Sequence, residues 1–143
     1  MSSFGERSAG FVVFHRTGRK ILFLLLRSGR DDFWGIPKGH VESDETDLEA
    51  AYRELLEETG IDSKNIILGF EEKIHYELKR NSKTISKEVV YFLLKVTDIN
   101  VILSSEHSEF IWTDAAGAVQ LIAFDNLREV IKKADTFIIA SAC

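Results

Sequence analysis

Glu45, Arg53, Glu54, Glu57 and Glu58 crowd into one segment, Gly39 to Ile61, which reads GHVESDETDLEAAYRELLEETGI. If that segment is helical, Glu54, Glu57 and Glu58 stand at i, i+3 and i+4 and share one face. Like charges so placed repel by roughly 0.2–0.5 kcal/mol per pair. Glu57 and Glu58 also fall in the last turn, where the helix dipole prefers cations by about 0.3–1 kcal/mol. An ordinary solvated face would carry lysines there. Convergent carboxylates beside an apolar stripe suit a hard divalent cation held through oxygen. Arg53 is placed to orient one of them through paired hydrogen bonds.

The elements that must position these groups can be read locally. Thr46-Asp47-Leu48-Glu49 has the form of a capping box, and Gly60 supplies a C-terminal stop. Leu48, Ala51, Tyr52, Leu55 and Thr59 recur at helical spacing as an inward stripe. Ala9–Phe14 and Ile21–Arg27 are apolar on both faces and predict central, covered strands around the turn Arg16–Arg19. Phe33–Ile36 is a short extended piece leading into Pro37-Lys38-Gly39-His40.

Farther on, Phe70, Ile74, Tyr76 and Leu78 follow one strand, Lys79–Ser86 reads as a polar hairpin loop, and Glu88–Val96 returns as a buried strand. Phe110–Trp112 is a last short strand. The remainder is helical, with Thr113 and Asp125 as N-caps and Leu127, Val130, Ile131, Ala134, Ile138 and Ile139 turned inward. Strands mixed with helices predict an α/β fold, a mixed sheet with helices on both faces.

The chain of 143 residues reads as a single domain, 1–143, of ordinary composition (45% hydrophobic, 29% charged). No apolar run reaches the ~20 residues needed to span a membrane. The opening Met1–Arg7 lacks the layout of a signal peptide. The single cysteine, Cys143, rules out an internal disulfide, so a cytoplasmic setting is expected. The histidines are scattered and make no helical metal pair. A net charge of −5 argues against a non-specific nucleic-acid binder but permits a phosphorylated substrate.

Written as a pattern, the segment is G-x5-E-x7-R-E-L-x-E-E-x-G-I, filled by Gly39, Glu45, Arg53, Glu54, Glu57, Glu58, Gly60 and Ile61. It resembles the full signature of the Nudix hydrolases. The resemblance implies an α/β/α sandwich and hydrolysis of a phosphoanhydride in a nucleoside diphosphate derivative, with Mg2+ or Mn2+. It also implies metal ligands at Glu54, Glu57 and Glu58, with the Gly39 backbone contributing a carbonyl. Glu45 is similar to an accessory glutamate that either caps structure or assists an outer metal. A further carboxylate comes from a later loop in this family, and Glu106 is the candidate, with Glu109 as competitor. The general base is then Glu106 or a helix glutamate.

Other features are similar to the asymmetrical diadenosine tetraphosphate hydrolases within the family: Trp34…Pro37-Lys38-Gly39-His40-Val41-Glu42, His75-Tyr76, Lys87-x-Val89-x-Tyr91-Phe92, and Glu106-His107 ahead of Trp112 and Leu121–Phe124. This likeness implies that Lys38 and Lys87 meet phosphate, that Tyr76 and Phe124 stack a nucleobase, and that Trp34 borders the site. Each has a plainer reading, as core aromatic, sheet plug or surface lysine. Phe33 stands where close relatives often carry a histidine, and Ile36 where another proline is common, so the leaving-group contacts differ here. The expected partner is a small nucleotide, acted on by a monomer. A 5′-RNA pyrophosphohydrolase, a hydrolase of non-standard nucleoside triphosphates and a non-catalytic nucleotide sensor are the alternatives. The RNA reading needs a basic track, of which Lys79, Arg80 and Lys83 are the only hint.

Overall fold

The computed structural model describes residues 5–143, so the start of the segment read above for a leader, Met1–Phe4, lies outside it. The elements are β1 (Glu6–Thr17), β2 (Lys20–Ser28), β3 (Trp34–Gly35), β4 (Lys38–His40), α1 (Asp47–Thr59), β5 (Glu72–Arg80), β6 (Lys83–Lys95), β7 (His107–Thr113), α2 (Ala115–Leu121) and α3 (Asp125–Ser141). The sheet runs in the order β3-β2-β1-β6-β5, with β4 also on β1 and β7 also on β2. β1 and β6 are parallel and the other pairings antiparallel, so the sheet is mixed.

Alternation along β1 sends side chains to two separate cores. Ala9, Phe11 and Val13 pack with Ala50, Ala51 and Leu55 of α1. Val12 and Phe14 face the other way, with Val89 and Tyr91 of β6 and Val130, Ile131, Ala134 and Ile138 of α3. The expected sandwich, a sheet with helices on both faces, is therefore what forms. β1 and β2 are buried along most of their length, as covered central strands should be.

Three local readings need correction. The hairpin loop is not Lys79–Ser86: β5 and β6 stay paired from Glu72↔Tyr91 out to Arg80↔Lys83. Only Asn81 and Ser82 turn, both with positive φ (53° and 67°), the left-handed pair whose twist suits a two-residue hairpin. The stretch is polar because the ribbon projects past the end of β1, whose first partner on β6 is Lys87. The caps also shift by one residue. Asp114, not Thr113, accepts from Gly117 N–H to cap α2, while Phe124 precedes α3 and Asp125 is already helical. Ile139 lies outside the stripe, 61% exposed, because α3 turns it away from the sheet.

Candidate functional site

The acidic helix forms as its caps dictate. Thr46 accepts from Glu49 N–H, the Glu49 side chain accepts from Thr46 N–H, and Gly60 ends the helix with φ 75°. Arg7 on β1 ties its first turn down by pairing with Asp47, and pairs also with Glu88 on β6.

Arg53 is the hub of the face. It grips Glu45 with two donors, Nε to Oε2 at 2.7 Å and Nη2 to Oε1 at 2.9 Å. It also donates to Glu54 at 2.9 Å, to the His40 carbonyl at 2.9 Å and, more loosely, to Glu57 at 3.3 Å. Glu45 further accepts from Glu42 N–H at 2.9 Å. The Arg53 guanidinium and that N–H hold the Glu45 carboxyl down to about 2. Glu45 therefore serves as the anchor of Arg53 and of the loop before the helix.

Glu58 is in the opposite condition. It is buried, and its Oε1 has no hydrogen-bond partner among the described residues. Burial, reinforced by the Glu54 and Glu106 charges and opposed by Lys38, pushes its carboxyl up to about 8. Glu54 is pushed upward by burial too, with Arg53 opposing. Lys38 on β4 is pulled below the usual lysine range by burial and by Lys87, with Glu58 and Glu54 opposing.

Glu106 reaches this group through backbone bonds that no sequence pattern announces. The last carbonyls of α1 have no basic residue beside them. They accept instead from the following loop: Ile102 N–H to Thr59 O at 2.9 Å and Ser104 N–H to Glu58 O at 3.0 Å. Gly29 N–H then bonds the Glu106 carbonyl at 2.9 Å. The competitor Glu109 is engaged elsewhere, accepting from Arg27 at 2.7 Å.

The charges of Glu54, Glu106 and Lys38 thus all act on Glu58, with Glu57 on the solvent side against Arg53. Among the described residues no three acidic or histidine side chains converge into a ready-made metal cage. The residues nonetheless fit a divalent cation: a buried carboxylate oxygen lacks a partner, the charges of two more carboxylates act on it, and the exposed Glu57 is held only loosely. Gly39 backs onto Glu54 so closely that a Cβ there would overlap its carboxyl group. Gly39→Ala should therefore displace Glu54, lowering kcat by about 10–100-fold while the Tm barely moves, because only a flexible side-chain end gives way. Steady-state kinetics beside a melting curve check both halves.

Of the outer residues, Lys87 on β6 is 8% exposed and sits opposite Tyr76 of β5, its Nζ 5.8 Å from the ring centre. Trp34 is half-buried against the α3-side core, 6.0 Å beneath the Arg27 guanidinium. Phe124 and Phe33 are each 46% exposed, and their rings meet edge to face at 4.9 Å. Sequence reasoning passed over Glu6, whose only signal was its alternation with Ser8 and Gly10 along a strand.

The NUDIX domain family matches residues 6–134. The chain belongs to the Nudix family. It is 34% identical over 143 residues to the asymmetrical bis(5′-nucleosyl)-tetraphosphatase of Rattus norvegicus, covering 92% of this chain and 95% of the rat protein. A solved structure of a C. elegans Ap4A hydrolase binary complex superposes with a TM-score of 0.84 at 29% identity, covering 94% of this chain and 98% of that one. An RNA pyrophosphohydrolase of Halorhodospira halophila is 30% identical over 89% of this chain and 76% of its own length.

The expected Nudix sandwich and hydrolase class are thereby shown. Nudix hydrolases generally use divalent metal ions, in keeping with the acidic face built here on α1. Among the described residues no helix is long and apolar enough to cross a membrane.

Proposed function

We propose that this Nudix hydrolase cleaves dinucleoside polyphosphates asymmetrically, converting diadenosine tetraphosphate to ATP and AMP with Mg2+. The observation that carries this reading is the buried Glu58 carboxylate near the end of α1, one oxygen of which has no partner among the described residues and on which the charges of Glu54, Glu106 and Lys38 act. The high coverage of tetraphosphatase relatives supports the substrate.

Glu54, Glu57 and Glu58, with the Gly39 backbone, would hold Mg2+, which when bound polarises the phosphoryl group and lowers the pKa of water. Arg53 keeps Glu54 and Glu57 on one face. Glu106, an exposed carboxylate outside the helix, takes a proton from the attacking water. The water oxygen bonds a phosphorus near one end of the tetraphosphate, the bridging P–O bond breaks, and ATP leaves with the electron pair. Lys38 and Lys87 offset the polyphosphate charge. Tyr76 and Phe124 supply aromatic faces for adenine, and Trp34 borders the site.

Chromatography of products after incubation with diadenosine tetraphosphate and Mg2+, beside Glu57→Gln, tests this. Equal ATP and AMP from the parent, with the variant nearly inactive, is the expected result. Two ADP would reject the asymmetric cut, and no turnover would move triphosphorylated RNA to the front.

A further inference from the structure

Lys87 does not reach the cleft alone. Glu6 lies directly beside it in the parallel β1–β6 pairing, with Oε1 3.6 Å from the Lys87 Nζ, beyond hydrogen-bond length. That oxygen is buried and has no hydrogen-bond partner among the described residues. The other oxygen, Oε2, accepts from Arg80 at 2.7 Å. Arg80 comes from the projecting end of the β5–β6 ribbon, paired there with Lys83. Glu6, Tyr76, Ser86 and Lys87 help line one cavity of about 710 Å³.

The asymmetry of the two distances has a chemical meaning. A carboxylate with no other partner, buried beside a lysine, would close on it and cancel the charge the polyphosphate needs. Here the guanidinium takes the shorter bond and holds Glu6 back, so the lysine is positioned by a nearby anion without being fully paired to it. The three groups together carry a net +1, and the unshared part of it sits on Lys87, over Tyr76.

We propose that Arg80 and Glu6 are positioning residues that set how strongly Lys87 attracts the substrate's phosphate chain, Arg80 acting by restraining Glu6. Arg80 of the hairpin then belongs to a tether within the site and not to a track for extended RNA. This inference rests on the reading of Lys87 as a phosphate contact, so its test uses binding and not diadenosine tetraphosphate turnover.

The test is calorimetric titration with ATP and Mg2+ in the Glu57→Gln background, where no hydrolysis intervenes. Adding Arg80→Gln should weaken the Kd about fivefold, since a partly exposed pair is worth of order 1 kcal/mol. Adding Glu6→Gln as well should bring the Kd back to that of the background, and Arg80→Lys should restore most of it alone. A purely structural tether predicts lower melting temperatures with an unchanged Kd, and overturns the proposal. So does a double variant no better than Arg80→Gln, which would mean that Arg80 touches the ligand itself. If neither the parent nor this background binds ATP, the proposal is overturned too, by removing the role of Lys87; if only the background fails, the same series is read in the parent. If ATP binding follows the expected pattern while the parent leaves diadenosine tetraphosphate intact, the substrate assignment fails and the tether stands.

Discussion

Glu58→Gln should lower turnover by at least ~1,000-fold and, in the same protein without metal, raise stability. The two effects have one cause. The Glu58 carboxylate is buried with an unpartnered oxygen, a poor arrangement for the empty fold and a good one for a cation. Its folded-state value, about 8, stands above the ordinary 4.5. Between those values the native state holds a proton that the unfolded chain has released. The stabilising contribution of that proton is therefore complete below about 4.5 and lost as pH rises through about 8.

Glutamine removes this dependence. In EDTA, the melting temperatures of parent and variant should lie close at pH 5 and separate by pH 9, with the variant higher by the equivalent of about 3 kcal/mol. Glu45, held down to about 2, titrates below this window and does not mask the result. Mg2+ should then raise the melting temperature of the parent and not of the variant. A variant less stable than the parent at pH 9 would mean that Glu58 already has a cationic partner in the metal-free protein.

The second large effect is expected at Arg53. Its guanidinium holds Glu45 through two bonds and reaches Glu54, Glu57 and the His40 carbonyl. Arg53→Met leaves three carboxylates without that cation and unties the loop before α1 from the helix. Turnover should fall about 100-fold or more, and the melting temperature by about 5 °C, since both catalytic geometry and a network of charged hydrogen bonds are lost. Arg53→Lys should recover little of the rate. An ammonium cannot present two parallel donors to Glu45 and still reach Glu54 on the other side. If lysine restores full activity, charge alone matters and the fork geometry does not.

The sequence alone determined the acidic helix, because everything that defines it is local. A capping box, a terminating glycine and a 3.6-residue apolar period lie within a short span, and i, i+3, i+4 spacing follows from helix geometry alone. The covered strands were legible for a similar reason, since a strand buried on both faces has nowhere to place polar residues. The length of the β5–β6 ribbon was not. Once a two-stranded ribbon projects past its neighbours, both faces meet water and its composition becomes that of a loop. The register out to Arg80↔Lys83 and the positive φ of Asn81 and Ser82 reveal the tight turn.

Tertiary structure alone set the long-range contacts around the candidate site. The position of the loop that carries Glu106 depends on unsatisfied carbonyls at the end of α1 capturing its backbone, while Arg27 occupies Glu109. The place of Glu6 beside Lys87 depends on a parallel register between the first and sixth strands, and that of Arg80 on a long hairpin folding back to meet it. Such contacts join residues far apart in the chain, through backbone groups that are the same for every residue type. Side-chain spacing therefore carries no trace of them, whereas the acidic helix is written in the spacing itself.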